Sequence, residues 1–151
     1  MKQVNPKSNK EIAMEWDEIS ETRFNQINNN KDLSFNFILK PCILNLIDSC
    51  NKESVLDFGC GTGNLTKYLA ESSNKVVGID LSAVSINIAL RHFNSIENLS
   101  FINSSIEDYS RSNNKAHFSL VVANMVLMDV TNLEGVLKSI RGILESGGNF
   151  V

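Results

Sequence analysis

The chain has no excess of basic charge. Its 14 Lys and Arg face 17 Asp and Glu for a net charge of -3, and the basic residues are scattered along it. Nothing therefore forms the electrostatic footprint expected of a protein that grips DNA or RNA. Cysteine is scarce as well. Cys42, Cys50 and Cys60 are odd in number and lack metal-ligand spacing, so no disulfide framework and no metal site is expected, and a reducing, cytoplasmic location is. No apolar run approaches a membrane span and the first ten residues are polar, so neither a signal peptide nor an anchor is expected. Internal repeats are absent, and the Asn28-Asn29-Asn30 tract reads as a loop. What remains is 151 residues at 42% hydrophobic, enough apolar material for one domain with its own core.

That domain is organised around Ser54 to Thr66. The apolar run Val55 to Phe58 ends in glycines at alternate positions, Gly59, Gly61 and Gly63, and Leu65, Tyr68 and Leu69 then follow at helical spacing. The pattern is strand, tight loop, helix. The glycines let the chain turn sharply and let a ligand approach the main chain closely, with the N–H groups of the next helix facing it. A dinucleotide fingerprint would need its third glycine at position 64, where Asn64 stands. In its place is a carboxylate, Asp57, on the last turn of the strand. It would repel a pyrophosphate but hold a cationic ammonium or sulfonium group.

This segment resembles the first motif of the class I S-adenosylmethionine-dependent methyltransferases. The resemblance implies an α/β fold, a Rossmann-like three-layer α/β/α sandwich on a mostly parallel, doubly wound sheet. It implies S-adenosylmethionine as cofactor, S-adenosylhomocysteine as product, and a small-molecule methyl acceptor. Asp57 and the loop backbone at Gly59, Cys60, Gly61 and Gly63 would hold the methionine end. A second strand, Lys75 to Ile79, ends in Asp80 roughly 20 residues beyond the glycines, placed to accept both ribose hydroxyls. Asp80 matches the family's ribose-binding acid and Leu81 its apolar neighbour at the adenine, although Asp80 or Ser82 could also cap the next helix. After a third strand at Leu99 to Asn103, many relatives carry a Gly-Asp pair whose acid meets the adenine amino group. Here Ser105 takes that place, beside the backbone N–H of Ile106.

A fourth strand, Phe118 to Ala123, leads to Asn124 at the mouth of the site, since ligands of open parallel sheets lie beyond the carboxyl ends of the strands. Asp129 follows where many relatives carry a histidine. It is a weak catalytic candidate that serves as a base or merely leads into the next helix. Thr131 and Glu134 form a capping-box pattern, and Leu133, Val136, Leu137, Ile140 and Leu144 an apolar helical face ended by Gly147-Gly148. Asn149 to Val151 opens a fifth strand. In the family two more strands follow, so the resemblance implies a C-terminally truncated domain without strands six and seven. Its open sheet edge would be a route to a homodimer.

Ahead of this core, assigned to residues 41–151, residues 1–40 form an N-terminal helical segment. Met1 to Asn9 is expected to fray, and Ile12, Trp16 and Ile19 recur at helical spacing between Lys10 and Gln26, with Phe24 beyond. In such proteins these helices cover the cofactor, making Trp16, Arg23 or Phe24 pocket residues. Plain packing of the helix on the domain is the alternative. Pro41 suits the start of a second helix running to Cys50. His117 lies at the far end of the fourth strand, roughly 20 Å from its ligand end at about 3.3 Å per residue, and His92 lies late in a helix. Methyl transfer from a sulfonium is an in-line displacement that positioning alone can drive. No Asn/Asp-Pro-Pro-aromatic signature of base methylation follows the fourth strand. A non-catalytic cofactor-binding or scaffold module is the alternative from another class, and a nicotinamide dehydrogenase is weakened by Asn64.

Overall fold

The computed structural model describes residues 7–113 and 117–151. The expected fraying of Met1 to Asn9 thus falls mainly on residues 1–6, outside the described part. Five strands form one parallel sheet in the order β3-β2-β1-β4-β5, with β1 Ser54–Phe58, β2 Lys75–Asp80, β3 Leu99–Asn103, β4 Phe118–Val122 and β5 Leu144–Phe150. Alternation along the strands divides the core in two. On one face Leu56, Phe58, Val77 and Ile79 pack against α5 (Ile106–Ser112) and α6 (Leu133–Ile143). On the other Val55, Val76 and Leu120 pack against α2 (Lys40–Leu46) and α3 (Thr66–Glu71). A third cluster on that second face joins Cys60 and Phe101 to α4 (Ala83–Phe93). Two helical layers around a sheet whose inner strands are buried on both faces explain why β1, β2 and β4 read as nearly unbroken apolar runs.

α1 (Asn9–Asn28) begins with a capping box in which Ser8 Oγ accepts from the Glu11 N–H and Glu11 accepts from the Ser8 N–H. Its buried face is not the stripe the spacing suggests. Ile12, Ser20 and Phe24 are buried, while Trp16 and Ile19 are 38% and 43% exposed. Pro41 stands in the first turn of α2, as expected, but helical structure begins ahead of it and α2 ends at Leu46 rather than Cys50. Residues 33 and 34 are already helical, and a π-helical turn at Phe35–Leu39 leads into α2. Proline has no N–H to donate, so a wider turn just ahead of Pro41 is tolerated.

The end of the chain departs from expectation in two further places. Thr131 and Glu134 form no capping box; Asn132 caps α6, its Oδ1 accepting from the Gly135 N–H at 3.0 Å. α6 stops at Ile143, and Leu144 is the first residue of β5, opposite Phe118. Gly147 and Gly148 lie inside β5 at a register shift between Phe118 and Leu120, where Gly147 has φ +81°. Helical spacing ran on through Leu144 because that side chain packs into the same core from the strand.

Candidate functional site

The strand order reverses between β1 and β4, and the loops leaving the carboxyl ends of β1, β2 and β4 converge there on a cavity of about 510 Å³. Its floor is the loop after β1. The Gly59 and Cys60 N–H groups donate to the Ile79 carbonyl at 2.9 and 3.0 Å, bending the loop back over β2. Gly59, Gly61 and Gly63 all have positive φ, at +72°, +52° and +78°, but they differ in what surrounds them. A Cβ at Gly59 would lie 2.5 Å from Val126 and one at Gly63 2.7 Å from Phe101, whereas one at Gly61 would meet nothing within 4 Å. Gly61 is the open cradle for a ligand; Gly63 is needed for packing and does not line the cavity.

Two carboxylates organise the floor. Asp80 spans the loop and the following helix, accepting from the Gly61 N–H through Oδ2 and from the Ser82 N–H through Oδ1, both at 2.8 Å. Burial pushes its carboxyl above the ordinary range, against the pull of those two backbone donors. Ser82 Oγ separately caps α4 by accepting from the Ser85 N–H. Asp57 is 1% exposed and accepts from Thr66 Oγ1 at 2.7 Å. Burial raises its pKa to about 7, the Thr66 bond opposing and the charge of Asp80 adding to the shift. Burial also pushes the Cys60 thiol well up, so it supplies backbone to the site and no thiolate nucleophile.

Of the residues expected from the sequence, the cavity wall brings together Asp57, Gly59, Cys60, Gly61, Asp80, Leu81, Ser105, Ile106, Asn124 and Asp129. Ser105 is already engaged: it caps α5, accepting from the Asp108 N–H at 3.0 Å and donating to Asp108 Oδ2 at 2.8 Å. Asn124 precedes Met125, which has φ +57° and turns the chain at the mouth, and Asp129 follows in the turn beyond it. α1 closes the opposite side with Ile12, Trp16, Ser20, Arg23 and Ile27. Phe24 points elsewhere, stacked on His92 with ring centroids 4.2 Å apart, and His117 is exposed where β4 begins, at the end of that strand remote from the cavity.

Sequence reasoning missed Asp32 and Asp17. Asp32 lines the cavity and pairs with Arg23 at 2.8 Å. Asp17 accepts from Ser82 Oγ at 2.6 Å and from the Val84 N–H at 3.1 Å, while Ser20 Oγ lies 2.6 Å from Ser85 Oγ. These bonds tie α1 to the first turn of α4, the helix that Asp80 leads into. No signal local to Asp17 announces partners 65 and 67 residues away; only an acid and a serine three apart on one helix face hint at a polar contact.

A family model described as a methyltransferase domain matches residues 49–151. The ubiquinone biosynthesis O-methyltransferase of Serratia proteamaculans is 24% identical over 139 residues, 91% of this chain and 55% of that protein. The tRNA/tmRNA (uracil-C(5))-methyltransferase of Campylobacter lari is 30% identical over 114 residues, 74% of this chain and 31% of that protein. The chain thus spans about half the length of the first and a third of the second. Among solved structures, a TehB-like SAM-dependent methyltransferase from Corynebacterium glutamicum superposes with a TM-score of 0.67 at 24% identity, over 87% of this chain and 70% of that one. This last likeness is one of fold.

Proposed function

The chain belongs to the class I S-adenosylmethionine-dependent methyltransferase family, and from that premise we propose that it transfers a methyl group to an O, N or C atom of a small molecule. The observation that carries this reading is the cavity itself. At about 510 Å³ it is in the range of small-ligand sites, and its wall combines an open glycine cradle with the apolar side chains of Ile12, Trp16, Leu39, Met128 and Val130. The donor set fits the cofactor. Gly61 leaves room for a ligand against bare backbone, Asp80 offers two acceptor oxygens, and Asp57 sets beside the loop a buried carboxyl that is ionised above about pH 7. S-adenosylmethionine supplies an electrophilic methyl on a sulfonium when bound.

The chain's own contribution is then to position and to dry the site. Asp80 would hold the ribose, Asp57 in its ionised form would favour the ligand's positive charge, and Ser105 with the Ile106 N–H would meet the adenine. α1 excludes water from the side away from the sheet. Positioning of this kind supplies most of what an in-line displacement needs. Asp129 lines the cavity and would serve as the base for a hydroxyl or ammonium acceptor. The Campylobacter relative is named for an RNA substrate; the scattered basic residues and the apolar wall support a small acceptor here. Incubation with methyl-labelled cofactor and a panel of phenols, amines and bulk tRNA tests this. Label in a small molecule is expected, and label confined to tRNA would contradict it.

A further inference from the structure

A second concavity, a surface groove of about 460 Å³, adjoins the cavity. The two share six wall residues, Ile12, Trp16, Met128, Asp129, Val130 and Thr131. None of the six is among the residues that would hold the cofactor, and Asp129 is the base assigned to the acceptor. The groove therefore continues the cavity on the acceptor's side. We propose that it holds an uncharged aliphatic tail of the methyl acceptor, whose reacting hydroxyl or amine faces Asp129 within the cavity. The acceptor class is then amphipathic, a polar head on a hydrocarbon chain. This assignment rests on the reading of the cavity as a methyltransferase site.

The groove accounts for a stripe that the core leaves unused. Ile12, Trp16 and Ile19 recur at helical spacing on one face of α1, yet of the three only Ile12 is buried. All three line the groove. Facing them is Met128, 66% exposed, from the loop 123–132 between β4 and α6. Large apolar side chains scattered singly over a surface are ordinary, but gathered on one concavity they mark a binding groove. Methionine is unbranched and flexible, so Met128 can follow chains of different length. The two walls are joined at Thr131, whose hydroxyl donates to Asn9 Oδ1 at 3.3 Å. Charge argues for an uncharged tail. Lys7 Nζ pairs with Glu15 at 2.7 Å, so the one cation among the groove's described residues is already engaged and an anionic tail would meet Asp129 and Glu15 without a free partner.

Trp16, the sequence's one tryptophan, is a reporter within the groove. Its fluorescence tests the assignment on protein saturated with S-adenosylhomocysteine, with straight-chain primary alcohols from butanol to octanol as probes. Each added methylene is expected to tighten binding roughly two- to fourfold, the upper figure being full burial at about 0.8 kcal/mol. Ile19 lines the groove and not the cavity. Ile19→Glu sets a charge against the tail and is expected to flatten the series to less than about twofold from end to end. Ile19→Thr, of similar shape but with a hydroxyl, should reduce the gain per methylene without abolishing it. Both variants should bind S-adenosylhomocysteine in calorimetry as the parent does, which also reports that they are folded. No dependence on chain length in the parent, or one as steep in both variants, would overturn the groove's role while leaving the cofactor site standing. If the parent does not bind S-adenosylhomocysteine, the reading of the cavity fails and the assignment with it.

Discussion

At the scale of single residues, the three glycines of the loop carry different burdens. Gly61→Ala would place a methyl in open space inside the cavity, and Gly63→Ala would drive one into the ring of Phe101 at 2.7 Å. Each also forces a side chain into positive φ, at about 1–3 kcal/mol. Gly61→Ala is therefore expected to weaken S-adenosylhomocysteine more than it lowers the melting temperature, and Gly63→Ala to do the reverse. Calorimetry and thermal denaturation of both variants read this directly. Asp57 carries a second prediction. Its native pKa of about 7 lies above the value of about 4 for an unfolded carboxyl, so between those values the native state holds a proton that the unfolded chain has released. Its contribution to stability falls as pH rises from about 4 to about 7 and is flat above. Asp57→Asn should remove that dependence, so its melting temperature relative to the parent rises between about pH 5 and pH 8; a constant difference would contradict the shift. The places of Asp57, Gly59, Gly61 and Asp80 on the cavity wall were legible because each stands at a strand end or in the loop beside it, whereas the packing role of Gly63 was not, since it is set by Phe101 on β3. Asp32 was not, because its value comes from Arg23 on another element.

At the scale of elements, α1 is attached to the core by polar contacts where an apolar stripe was expected. Ser20, Ser82 and Ser85 are all buried, and Asp17 closes the network by holding Ser82 Oγ and the Val84 N–H. Asp17→Ala leaves buried donors unpaired, at roughly 1–3 kcal/mol. The sequence's one tryptophan, Trp16, sits on the cavity side of the same helix. The variant should therefore show both a lower melting temperature and greater acrylamide quenching of Trp16 fluorescence. Unchanged quenching would mean that α1 stays docked without Asp17. The strands were readable as short apolar runs bounded by turn residues, and most of the helices from their spacing, whereas α5 was not read because its short sequence of Ile106–Ser112 carries only two apolar positions. Element ends were not, because the α6 cap, the β5 register shift and the π turn before Pro41 are each decided by what the neighbouring element presents.

At the scale of the whole molecule, the cavity is a joint product of the sheet and the N-terminal helix. The sheet supplies the switch point, the glycine loop and the two acids. α1 and the segment after it supply Arg23, Asp32 and, together with Met128 and Val130 from the loop after β4, the apolar wall. No helix among the described residues is long and apolar enough to cross a membrane. The family and the sheet were evident from one motif and its downstream acid, whereas the covering half of the cavity depends on contacts between residues far apart in sequence. The most direct measurement of the central claim is a calorimetric titration of the chain with S-adenosylhomocysteine, with NADH as the control ligand. Binding at micromolar concentration, absent for NADH and lost in Asp80→Ala, is the result predicted. A folded protein that binds NADH and not S-adenosylhomocysteine, or whose Asp80→Ala variant binds S-adenosylhomocysteine as tightly as the parent, would contradict it.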